Sequence, residues 1–157
     1  IMRGTDQQPA IMMLTVAAVV GIVGSYIWGW LDQKFGTRNA SIIYGVWYLV
    51  ALLLMIFQNG SMLMLGLATF FVGFGIGGIG NLIPSMIGTC FGRFGFIQAN
   101  RLIAPINTAV RSTALIIIGA IGVTRLNHAY WVFFICSIAA IFMICFIKPD
   151  PKKVTFE

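Results

Sequence analysis

The sequence predicts an all-α membrane protein, a polytopic bundle of about five transmembrane helices. Three observations lead there: a composition too poor in charge for water, apolar runs of bilayer length, and basic residues confined almost wholly to the gaps between those runs. Apolar residues make up 59% of the 157 residues and charged residues only 9%, and mean hydropathy is +0.96. A soluble domain carries about 25% charged residues to hold its surface in water. Lipid is therefore the solvent this composition suits.

Crossing ~30 Å of hydrocarbon takes roughly 20 residues of helix, with every backbone group paired inside the segment. The runs that qualify are 11–30, 40–57, 62–90, 102–123 and 129–147, followed by a tail at 148–157. The connections are short and polar, so one transmembrane helical domain is expected over 1–157. Lys34 and Arg38, then Arg93 and Arg101, then Lys148, Lys152 and Lys153 all fall on one side of such a bundle. Arg3 and Arg125 fall on the other. The excess of Lys and Arg in cytoplasmic loops then makes the first side, and with it the C-terminus, cytoplasmic. Trp28 and Trp30 close the first run while Tyr130 and Trp131 open the last, which is where headgroup-level aromatic anchors belong. Trp47 and Tyr48 fall mid-span and are expected to pack.

The same composition excludes several functions. The net charge of +6 comes from scattered basic residues rather than a patch, so nucleic acid is not an expected partner. Cys90, Cys136 and Cys145 form no CxxC and have no histidine at ligand spacing, so neither metal nor disulfide framework is expected. The acids Asp6, Asp32, Asp150 and Glu157 lie near loops or ends, and no nucleophile–base set or carboxylate pair exists. The sequence does not read as an enzyme, and no cofactor is expected. His128 lies in an outer loop as an interfacial polar residue. Asn59-Gly60-Ser61 spells a glycosylation acceptor in a loop too short to hold it away from lipid. The chain opens on Ile1 in a polar stretch with no basic-then-apolar leader, which suggests a piece of something longer.

Within the third run, Gly73, Gly75 and Gly78 spell GxGxxG, but no strand precedes them and a dinucleotide site is excluded. Gly73 and Gly77 also form GxxxG, which lets helix backbones approach closely in lipid. With Asn81 and Pro84 they weaken the helix as well, so Gly73, Gly77 and Pro84 are candidate hinge residues. Asn81 is expected to satisfy the carbonyl that Pro84 frees.

Arg111 is the one basic residue placed inside a predicted span. If the helix begins near Leu102, Arg111 lies about nine residues in, or ~13 Å deep. A charge there faces a bundle interior or watery cavity, with Asn107 and Thr108 on the same face, and suits an anionic substrate. If the helix begins after Pro105 with Asn107 as its N-cap, Arg111 lies in the first turn and snorkels to headgroups.

The loop Gly29-Trp30-Leu31-Asp32-Gln33-Lys34-Phe35-Gly36-Thr37-Arg38 resembles the signature of the major facilitator superfamily, G-x-L-A-D-R-x-G-R-R. Gly29, Leu31, Lys34, Gly36 and Arg38 match in register. Gln33 stands in the usual Asp slot, with Asp32 one place early, and Thr37 replaces a basic residue. The resemblance implies that Gly29, Asp32, Lys34, Gly36 and Arg38 form a conformational loop between the eighth and ninth helices. The five runs are then similar to helices eight to twelve, part of a major-facilitator six-helix half, and Phe91-Gly92-Arg93-Phe94-Gly95 resembles the link between helices ten and eleven. What this implies is a secondary transporter moving a small solute by alternating access. It also implies a missing N-terminal part as partner, without which the chain is expected not to transport. By the same resemblance Ser25, Tyr26, Asn81 and Thr108 join Arg111 and Asn107 as secondary candidate substrate-binding residues, although such residues are more often ordinary interhelical hydrogen-bonders. The sequence is also similar to the oxalate–formate antiporter-like branch, which carries small organic anions. The reading from another class is a polytopic structural or assembly subunit that transports nothing.

Overall fold

The computed structural model describes residues 7–57, 61–121 and 126–147. Among these residues there is no strand. The chain runs α1 (Gln7–Phe35), α2 (Thr37–Phe57), α3 (Met62–Ile121) and α4 (Leu126–Phe146), and all four are long and apolar enough to cross a bilayer. The tail, Arg3, Arg125 and Asn59-Gly60 of the acceptor triplet lie outside the described residues.

α3 has 60 residues, about 90 Å of helix if straight, three times the hydrocarbon thickness. Its one non-helical residue is Gly92, at φ 68 and ψ 178, a conformation essentially reserved for glycine. The corner divides α3 into a first limb, 62–91, and a second limb, 93–121, each long enough to span. The sequence predicted a loop from about residue 91 to 101. The structure instead makes the whole turn with one glycine, and Arg93 and Arg101 lie on helix.

The α1–α2 connection is equally short. Gly36 takes φ 79, ending α1 as a left-handed cap that a β-carbon would strain. Its N–H bonds the Asp32 carbonyl at 2.9 Å, and its own carbonyl accepts from the Ala40 N–H at 3.0 Å, which starts α2.

Two contacts hold the bundle. The first is the seam of α1 against the first limb of α3. A β-carbon on Gly73 would lie 2.6 Å from the Ala17 carbonyl oxygen, and one on Gly77 would lie 2.5 Å from the Ser25 nitrogen. The two backbones touch because these positions carry no side chain, as GxxxG packing requires. The second contact is aromatic. Trp28 is 1% exposed, its ring 5.1 Å from Tyr44 and 5.9 Å from Phe74, while Trp47 stacks on Phe71 at 4.4 Å. Each indole donates to an α3 carbonyl, Trp28 to Phe74 at 3.1 Å and Trp47 to Phe71 at 2.9 Å. Trp28 is thus a core residue, not the headgroup anchor its place in the sequence implied. α4 lies along α2, with Ile141 against Gly45. Large apolar side chains such as Leu14, Ile22, Leu63 and Met143 stay exposed, the surface a bilayer covers.

Candidate functional site

At one end of the bundle the α1–α2 loop is fastened to two other helices. The Ser85 hydroxyl, on the first limb of α3, donates to Asp32 Oδ2. Thr37 Oγ1 lies 3.1 Å from both Ser85 Oγ and Thr89 Oγ1, and Thr89 donates to the Ser85 carbonyl at 2.8 Å. Three hydroxyls and one carboxylate therefore form a half-buried polar knot, and Asp32 Oδ1 is buried without a hydrogen-bond partner. Arg38 Nη2 donates to the Cys145 carbonyl, one of the open carbonyls ending α4, where a cation also meets the negative end of the helix dipole. Lys34 takes no part in the knot; its ammonium lies over the Trp30 ring at 4.6 Å. The two departures from the loop signature gain a physical meaning here. Asp32, one place early, reaches Ser85, and Thr37, in a basic slot, joins the hydroxyls.

The candidate binding residues divide between two cavities. The first, about 490 Å³, lies between α2, both limbs of α3 and α4, and its polar lining is Ser41, Tyr44, Tyr48, Asn107, Arg111 and Ser137. The second, about 600 Å³, lies beside α1 and takes in Ser25, Tyr26, Gly29, Gln33 and Asn81. Thr108 lines neither, and its hydroxyl turns back to the Ala104 carbonyl at 3.0 Å. Arg111 and Asn107 are thus brought together, Ser25, Tyr26 and Asn81 are brought together, and the two groups stand apart.

The second limb is helical from residue 93, so Asn107 sits within the helix and caps nothing. Arg111 comes about 18 residues after the corner, ~27 Å along the helix, which rules out a place in the first turn. Asn81 also differs from expectation. Its amide donates to the Ser25 carbonyl at 2.7 Å and to Ser25 Oγ at 3.0 Å, bridging α3 to α1 instead of serving the carbonyl freed by Pro84. Gly73 is buried and Gly77 half-buried in the α1 seam, while Pro84 is exposed within continuous helix.

Sequence reasoning missed Tyr44, Tyr48 and Ser41 in the cavity, and Ser85 and Thr89 in the knot. A signal existed. Ser41, Tyr44 and Tyr48 stand at i, i+3 and i+7 on α2, and Ser85 and Thr89 at i, i+4 on α3, each a polar stripe along an otherwise apolar helix.

Apolar helices of bilayer length, turned at Gly36 and Gly92 and bordering open cavities with a few polar groups, define a multi-pass membrane protein. The chain belongs to the sugar (and other) transporter family, whose profile matches residues 3–89, from before α1 to the end of the first limb of α3. It is a transporter of the major facilitator type, and its setting is a lipid bilayer and a small-molecule substrate. Asn107, Thr108 and Arg111 lie beyond the matched residues. Searches of curated proteins and of solved structures return no match.

Proposed function

We propose that this chain forms part of a secondary active transporter of the cell membrane, moving a small organic anion by alternating access, with Arg111 as the principal substrate-binding residue. One observation carries the reading. Arg111 lies well inside an apolar helix and lines a cavity with Asn107, while the single acid among the described residues, Asp32, accepts from Ser85 at the bundle end. A guanidinium in such a place has no carboxylate to neutralise it, and a bound anion supplies one. Asn107 serves beside it. Ser25, Tyr26 and Asn81, in the second cavity, form a further polar face, and Thr108 joins the site only once a solute or a partner helix draws its hydroxyl from the Ala104 carbonyl.

The loop of Gly29, Asp32, Lys34, Gly36 and Arg38 acts on conformation, since its bonds to Ser85 and Cys145 tie four helices at one end and their exchange frees that end. Bending at Gly73, Gly77 and Pro84 accompanies it. The excess of basic residues at this end supports a cytoplasmic side for it and for the C-terminus. Along the second limb Arg101, Thr108 and Ser112 share one exposed face, with Arg111 at its flank and exposed as well. Lipid covers such a polar face poorly, so an N-terminal set of helices is the partner this reading assigns to it.

Uptake of a panel of small anions, measured in cells that also supply the N-terminal set of helices and with membrane abundance followed in parallel, tests the proposal. Arg111→Ala and Arg111→Lys are expected to lower uptake about 10- to 100-fold at equal abundance, the scale of lost charge-assisted bonds. Unchanged function in Arg111→Ala is what a structural or assembly subunit predicts, and overturns the reading.

A further inference from the structure

The cavity that holds Arg111 contains a second polar group without a partner. Tyr44 Oη is buried and makes no hydrogen bond, although a buried phenol ordinarily finds an acceptor. The ring itself is fixed. It meets Trp28 edge-on at 5.1 Å, and a β-carbon on Gly78 would lie 2.8 Å from its edge. Packing therefore sets the hydroxyl in place before any ligand arrives, and Arg111 lines the same cavity.

We propose that Tyr44 is a substrate-binding residue that donates to the same carboxylate as Arg111, and that the cavity takes a monocarboxylate with an apolar body. This rests on Arg111 being the anion's ligand. The guanidinium offers only donors, and Tyr44 Oη needs an acceptor. Both demands are met by one head group rich in lone pairs. Around them stand Ile79, Leu82, Ile83, Met86, Ile141 and Ile144, an apolar wall suited to a hydrocarbon body. A dicarboxylate would turn its second charge against that wall with no cation to meet it. A sugar needs donors and acceptors on every face, and beyond Ser41, Tyr48 and Asn107 the remaining lining is apolar, with Ser137 already donating to the Phe133 carbonyl at 2.8 Å. The head group thus meets the two polar groups, and the body meets the wall.

Radiolabelled hexanoate binding to the protein in lipid nanodiscs, against empty nanodiscs, tests this. The rise in unfolding temperature at saturating hexanoate, taken relative to each variant's own ligand-free value, is the second readout. Wild type is expected to bind saturably, with little displacement by oxalate or glucose. Tyr44→Phe keeps the ring contacts and is expected to weaken binding about tenfold. Arg111→Gln is expected to abolish it. Wild-type affinity in Tyr44→Phe, or equal displacement by oxalate or glucose, overturns the inference. If only Arg111→Gln matters, the Tyr44 assignment falls and the anion site stands. If hexanoate does not bind, or binds regardless of Arg111, both fall.

Discussion

A single methyl group separates tolerated from intolerable at the glycines of α3. Gly73 and Gly77 face the α1 backbone at distances a β-carbon cannot share, whereas Gly66, on the same limb, has nothing within 4 Å of such an atom. Gly77→Ala is therefore expected to cost about 1–3 kcal/mol of stability by forcing the seam open. Gly66→Ala is expected to be neutral or slightly stabilising through helix propensity. Unfolding in detergent measures both, and equal effects would show that the seam is looser than its geometry. Close packing at Gly73 and Gly77 was legible because their spacing is a property of the helix alone. Trp28 was not: its burial depends on α2 and α3 closing over it, and a tryptophan near a span's end is as suited to headgroups as to a core. Tyr44 and Tyr48 were hidden for the same reason, since which face of α2 they share with a cavity is decided by α4.

At the scale of elements, the corners matter most. The sequence marked the α1–α2 turn through Gly36, and the long third run was read as able to kink. Ending that run at Cys90 was off by one residue, but starting the next helix at Leu102 missed the stretch from 93, about two and a half helical turns. Polar residues between apolar runs look like loop, yet Arg93 and Arg101 extend from a helix whose corner needs only Gly92. The knot at this end gives a test. Asp32→Ala and Ser85→Ala each remove one side of a half-buried charged hydrogen bond and are expected to cost about 1–3 kcal/mol in detergent unfolding. The double variant is expected to cost clearly less than the sum, because both remove the same bond. Strict additivity would mean that the two residues do not meet.

For the whole molecule, what composition and run length establish is the all-helical membrane bundle, and the family match to residues 3–89 makes it a transporter. Neither specifies where water enters. That depends on how four helices, one with a corner, leave space between α2, α3 and α4, and it decides whether Arg111 serves a solute or merely snorkels. Accessibility to water tests this most directly. In a background with Cys90, Cys136 and Cys145 replaced by Ala, Asn107→Cys and Ile135→Cys are each treated with a membrane-impermeant, charged thiol reagent in sealed and in opened vesicles. Asn107 lines the cavity, while Ile135 is 63% exposed on the apolar surface of α4. The account predicts rapid modification of Asn107→Cys in at least one vesicle preparation and none of Ile135→Cys. If Asn107→Cys stays unreactive from both sides, the cavity is not open to water and the proposed solute site does not exist.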